Sequence, residues 1–110
     1  MYGADVHKRK LPLGFRDIKK QIIECIKTGK VQHEIREAEK NLYAHGDLSD
    51  EEVINIIKNC RGDNYEKRKH HISSLGDVHI LKPKGKYDGY YIKFYFIEPD
   101  VWFISVHLDI

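Results

Sequence analysis

The hydrophobic residues of this chain change their period part-way along it, and that change limits the fold more than any other feature. From Phe15 the apolar positions Phe15, Ile18, Ile22 and Cys25 or Ile26 recur at three- and four-residue steps. They form one face of a helix that ends near Thr28 and Gly29, with Lys19, Lys20 and Lys27 directed largely to solvent. Ile35, Ala38 and Leu42 repeat the spacing, so a second helix is predicted over residues 33–45 and stopped by Gly46. A third opens on Ser49-Asp50-Glu51-Glu52, a capping box in which serine and glutamate satisfy each other's backbone N–H groups. Val53, Ile57 and Cys60 continue its inner stripe, and Ile54 and Ile56 widen it.

After Asp63 the alternation is two-fold. Residues 77–81 read as a short strand, and residues 83–89 as a loop rich in lysine, glycine and aspartate. Residues 89–97 form a long strand with Tyr90, Ile92, Phe94 and Phe96 on one side and Tyr91, Lys93 and Tyr95 on the other. Glu98-Pro99-Asp100 is a turn. The last strand covers residues 101–108, with Trp102, Ile104, Val106 and Leu108 opposite Val101, Phe103, Ser105 and His107. A further extended segment is expected over residues 65–72. Helices followed by strands make an α+β fold, with N-terminal helices packed on a C-terminal twisted antiparallel sheet.

A chain of 110 residues forms a single domain. Residues 1–14, with Lys8-Arg9-Lys10, Pro12 and Gly14, read as a mobile arm. With 41% hydrophobic and 33% charged residues the chain falls in the folded globular class. It has no apolar run of bilayer length, and its first residues lack the core of a secretory signal, so no membrane partner and a cytoplasmic location are expected. Two cysteines, Cys25 and Cys60, make no disulfide framework and read as buried thiols. A metal site on Cys60 with His70, His71 or His79 lacks paired-ligand spacing, and neither metal nor other cofactor is expected.

The net charge of +2 conceals segregation. Residues 8–30 carry eight Lys/Arg against two acids and residues 64–86 carry six against two, whereas residues 31–63 carry four against eight and residues 87–110 one against four. Such blocks can give the folded protein a positive face, for which a polyanion such as RNA is a natural partner. The aromatic and titratable residues of the strands reinforce that reading. Tyr91, Lys93, Tyr95, Ser105 and His107 are expected on one sheet face, with His79 on a third strand beside the basic run Lys67-Arg68-Lys69-His70-His71. Imidazoles can serve as base and acid, and ammonium groups can stabilise a charged phosphorane. This inventory suits RNA cleavage by attack of a 2′-hydroxyl on the adjacent phosphate. Each residue alone also has a plain structural explanation, since strand-end histidines and alternating tyrosines are common on solvated sheets. Dinucleotide, P-loop, nucleophile-elbow and zinc-helix motifs do not occur.

From about Asp17 to Leu108 the chain resembles the MqsR family of toxin–antitoxin ribonucleases, within the RelE-like superfamily. The resemblance is carried by Thr28-Gly29-Lys30-Val31, the Ile54-x-Ile56-Ile57 run, Asp63-Asn64-Tyr65, a strand closing in Lys82-Pro83, Tyr91-Ile92-Lys93, and Trp102-Phe103-Ile104-Ser105-Val106. It implies the toxin of a type II toxin–antitoxin system, a metal-independent mRNA endoribonuclease acting free or on the ribosome and neutralised by a cognate antitoxin protein. Tyr91 matches a family tyrosine, and His107 stands where the family has a cationic residue. The family lysine falls on or beside Glu66, with Lys67 next to it, and the family glutamine falls near Val78 or His79, so neither is reproduced in register.

These observations assign His79 and His107 as general acid and base in either order and Tyr91 as a base or phosphate contact. Lys67, Lys69, His70, His71 and Lys93 are assigned as RNA-binding groups. The alternative is a non-catalytic member of the RelE-like or ParE-like fold that binds RNA or a protein target, for which His107 would not matter. A structural or regulatory protein of unrelated α+β fold is the third reading. The nuclease reading carries a geometric requirement: His79 and His107 must share one face of the sheet.

Overall fold

The computed structural model describes residues 14–109; apart from Gly14, the arm expected over residues 1–14 lies outside them. The fold is α+β. Helix α1 covers Phe15–Lys27 and buries Ile18, Ile22, Cys25 and Ile26. Helix α2 covers Asp50–Lys58 and buries Val53, Ile54, Ile56 and Ile57. The capping box forms as the sequence indicates: Glu52 N–H donates to Ser49 Oγ at 3.1 Å, and Ser49 N–H to Glu52 Oε1 at 2.9 Å. Lys19, expected in solvent, instead donates to the carbonyls of Lys58 at 2.8 Å and Cys60 at 2.9 Å. It places a cation where the end of α2 leaves carbonyls without intrahelical partners.

Five strands make one sheet: β1 (Val31–His33), β2 (Tyr65–Lys69), β3 (Asp77–Leu81), β4 (Tyr90–Ile97) and β5 (Asp100–Leu108). Their order is β1-β5-β4-β3-β2. Four strands form an antiparallel meander, whereas β1 runs parallel to β5, with His33 opposite Phe103. The sheet is therefore mixed and not wholly antiparallel.

The helix predicted over residues 33–45 does not form. Val31–His33 is strand, the chain continues extended, and Ala38–Lys40 makes a single 3-10 turn. Ile35, placed on the inner face of that helix, is fully exposed. The segment is held by other means. Asn41, buried, bridges β5 at Val106, and its Nδ2 lies 3.0 Å from His33 Nδ1 while its Oδ1 accepts from Ala44 N–H at 3.0 Å. The His33 ring stacks on Phe103 and meets the edge of Tyr43.

Both helices cover one face of the sheet. Leu81, Ile92, Phe94, Val101, Phe103 and Val106 pack there against the buried stripes of α1 and α2. The opposite face carries a smaller cluster of Val78, Ile80, Tyr95 and Ile104, flanked by Leu75, Tyr91 and Trp102. No α-helix among the described residues covers this second face. A 3-10 turn at Ser73–Leu75 packs on part of it through Leu75, so Val78, Ile80, Tyr95 and Ile104 are buried while Tyr91, Lys93, Trp102 and His107 keep exposed surface.

Candidate nucleic-acid interface

A β-bulge sets the composition of the open face. Lys93 pairs with Ser105 but Phe94 pairs with Phe103, so Ile104 is an extra residue on β5. Strict alternation would put Trp102 and Ile104 opposite Ser105 and His107. The extra residue reverses the sides, so that Trp102, Ile104, Ser105 and His107 all reach the open face while Val101, Phe103 and Val106 face the helices. Tyr91, Lys93 and Tyr95 of β4 lie directly across from His107, Ser105 and Trp102. Two ring pairs result. Tyr91 and His107 stack with centroids 5.1 Å apart and planes at 20°, and Tyr95 and Trp102 with centroids 6.3 Å apart at 12°. Tyr91, Trp102 and His107 are half-buried, each keeping ring surface available to solvent.

Cations surround these rings. The Lys82 ammonium lies 5.9 Å from the Tyr91 ring centroid and 3.7 Å from Glu66 Oε1. Arg68 donates through Nε to Glu66 Oε2 at 2.6 Å, which holds the Glu66 carboxyl below the usual range. Over β3, β4 and β5, with Val78 and Ile104 in its lining, a cleft of about 420 Å³ is walled by Arg36, Arg68 and Lys93, with Lys69, His70 and His71 at one side and Glu34 as its one carboxylate. Glu34 is engaged: Tyr95 O–H donates to its Oε2 at 2.8 Å. Burial, aided by this contact, pushes the Tyr95 phenol up to about 12, so it stays a neutral donor. Arg36 reaches Ser105 Oγ at 3.3 Å and so ties the extended segment after β1 across the bulge. His70 is buried. Its Nδ1 accepts from Ile72 N–H at 2.9 Å, its ring stacks on His71 with centroids 4.5 Å apart, and its Nε2 is buried without a hydrogen-bond partner.

The sequence-derived site therefore divides. Tyr91, His107, Lys93, His70 and His71 belong to the open face or its cleft, and Lys69, which by register shares the side of Lys67, borders the cleft at the end of β2. His79 and Lys67 do not. His79 pairs with Phe94 and Lys67, positions whose side chains point toward the helices. Its ring packs against Tyr65, Phe94 and Phe96, and only 6% of its surface is exposed. Burial lowers its basicity to about 4, partly countered by Asp77 and reinforced by Lys67. The neutral imidazole and a phenol itself raised to about 12 by burial share a hydrogen bond, with Tyr65 Oη and His79 Nδ1 2.8 Å apart and the donor set by the tautomer of the ring. This is a satisfied core histidine. The requirement that His79 and His107 share a face is not met, and the two-imidazole mechanism is withdrawn.

Sequence reasoning did not single out Arg36, Arg68 or Lys82 as site residues. Arg68 stood within the basic run, where alternation alone would have separated it from Lys67 and Lys69. Arg36 was concealed by the helix predicted over it. Cys25 and Cys60 are buried and free, and among the described residues no cluster of His, Cys, Asp and Glu is arranged to hold a metal ion. No helix among them is long and apolar enough to cross a membrane. Comparison with protein-family models, curated proteins and solved structures finds no match for the chain.

Proposed function

We propose that this protein binds single-stranded RNA across the helix-free face of its sheet, as the toxin of a toxin–antitoxin pair acting in the cytoplasm. The observation that supports this most is the Tyr91–His107 stack beside a cleft walled by Arg36, Arg68 and Lys93. Single-stranded nucleic acids are held by this combination, with bases stacked on aromatic side chains and the backbone neutralised by cations. Duplex RNA is a poorer fit, because its bases are already stacked and cannot reach the Tyr91 and Trp102 rings. An antitoxin would neutralise the toxin by covering the same face.

The test is binding of fluorescent single-stranded and duplex RNA of one sequence. Tyr91→Ala and His107→Ala should each weaken single-strand binding by about 1–3 kcal/mol, the usual worth of a base–aromatic stack. Equal affinity for both RNA forms, unchanged by either substitution, would refute the reading.

Cleavage of the bound strand is a second reading; it is a different mechanism from the two-imidazole one that the position of His79 removes, and it is favoured by the placement of His107, Tyr91 and the Lys82 ammonium around one point on the face. In it His107 takes the proton of a 2′-hydroxyl, whose oxygen bonds to the adjacent phosphorus. The bond from phosphorus to the 5′ oxygen breaks, and Tyr91 supplies that oxygen's proton, leaving a 2′,3′-cyclic phosphate and a 5′-hydroxyl. Lys82 and Lys93 offset the charge of the phosphorane. Fragments with these ends, made in the presence of a chelator and abolished by His107→Ala, support it; intact RNA from wild-type protein removes it and leaves the binding reading standing.

A further inference from the structure

We infer that the cleft between the segment after β1 and the β2–His71 turn is a subsite for a terminal phosphomonoester of the RNA, and not for a phosphodiester within it. The inference rests on the RNA-binding reading for the rest of the strand. Arg36, Arg68 and Lys93 line this cleft, with Lys69 at its edge, against two carboxylates: Glu34, which accepts from Tyr95, and Glu66, which pairs with Arg68 outside the lining, so a surplus of positive charge remains. A phosphodiester carries a single negative charge. A phosphomonoester carries about −1.5 to −2 near neutrality and presents three strong acceptor oxygens. The surplus of cations matches the monoester better.

The donor set agrees. Arg68 spends its Nε on Glu66, which leaves the terminal nitrogens of its guanidinium for another acceptor. Arg36 makes only a long contact, 3.3 Å, to Ser105 Oγ and a longer one to the Ile104 carbonyl. His70 supplies an independent sign. Because its Nδ1 accepts from the Ile72 N–H, the neutral ring must carry its proton on Nε2, and that N–H has no acceptor. A buried donor left unpaired is costly, so a ligand oxygen brought to this wall of the cleft has a ready partner. The His70 ring lies between the exposed His71 ring, stacked on it at 4.5 Å, and Tyr95 at 4.7 Å, and the inference requires His71 to turn aside for a ligand oxygen to reach Nε2.

The dimensions also fit an end. The cleft of about 420 Å³ lies in the size range of small-ligand sites, enough for a phosphate and part of its nucleoside. Lys93 is two residues from Tyr91 on the same face of β4, roughly 7 Å away along the strand. A strand whose terminal phosphate reaches Lys93 can therefore lay its next base on the Tyr91–His107 pair.

The experiment uses one RNA oligonucleotide in three forms, with a 5′-phosphate, with a 3′-phosphate, and with hydroxyls at both ends, each titrated by quenching of Trp102, the chain's one tryptophan. One of the two phosphorylated forms should bind at least about tenfold tighter than the hydroxyl form, as charge-assisted hydrogen bonds of this kind provide. Which one it is identifies the end. The doubly substituted Arg36→Gln/Arg68→Gln protein, checked for folding by its thermal transition, should bring that ratio to about one, and inorganic phosphate should compete away the preference. Equal affinity of the three forms for wild-type protein overturns the inference, as does a preference that survives the double substitution. Failure of the RNA-binding reading looks different: the hydroxyl form would not bind at all.

Discussion

Replacing His79 with glutamine tests whether this residue belongs to the core. In the fold its imidazole is pushed from about 6.5 to about 4, first by burial. The native state therefore holds the ring neutral over a range in which the unfolded chain binds a proton. The favourable contribution is complete above the unfolded value and is lost as the pH falls from about 6.5 toward 4, below which both states are protonated. At 1.36 kcal/mol per pH unit, the loss accumulated between pH 7.5 and 4.5 is roughly 2.5 kcal/mol. His79→Gln cannot titrate, so it lacks this component. The carboxylates that titrate over the same range are common to both proteins and cancel in the comparison.

Urea unfolding at the two pH values gives the readout. With a dependence of roughly 1.5 kcal/mol per molar urea for a small domain, the wild-type midpoint should fall by about 1.7 M more than that of the variant. The variant will be less stable at pH 7.5, which does not affect the comparison of slopes. If the two midpoints fall in parallel, His79 takes up its proton as freely in the fold as outside it. The packing against Tyr65, Phe94 and Phe96 would then be wrong, and an accessible catalytic histidine would return to consideration.

Three further outcomes follow from the same structure. Asn41→Ala removes a buried side chain that serves both His33 Nδ1 and the Ala44 N–H, and should cost about 2–3 kcal/mol in equilibrium unfolding. Ser49→Ala removes one half of the capping box of α2 and should cost about 1 kcal/mol by the same measurement, with no change in RNA affinity. Lys93→Gln should lessen the slope of log affinity against log salt by about 0.7, the value for one lost phosphate contact on a single strand, whereas Lys67→Gln, on the other face, should leave that slope unchanged.

Local signals in the sequence carried local structure well. The stripe from Ile18 to Ile26, the Ser49–Glu52 box and the alternation along β4 each depend on contacts within a few residues, and all three appear in the fold. The spacing of Ile35, Ala38 and Leu42 imitated a helix because period alone does not report that the chain finds hydrogen bonds elsewhere. Val31–His33 obtains them from β5, some seventy positions away in the sequence.

The site was half legible for the same reason. Alternation assigns the two faces of each strand but says nothing of which face of β3 aligns with which face of β4, since that is set by register. The pairing of His79 with Phe94 carried His79 to the helices. On β5 one extra residue, Ile104, brought Trp102 to the side of His107. Arg36 joined the cleft only because the segment around it is extended, and its contribution could not be seen while a helix was expected there.

The central claim is that RNA lies on the helix-free face, and backbone amide shifts during an NMR titration with single-stranded RNA test it most directly. The account predicts that the largest changes fall on Arg68, Tyr91, Lys93, Trp102 and His107, together with the Trp102 indole. Changes concentrated on α1, α2, Lys67 and His79, or a silent spectrum at RNA concentrations that saturate binding by other measures, would contradict it.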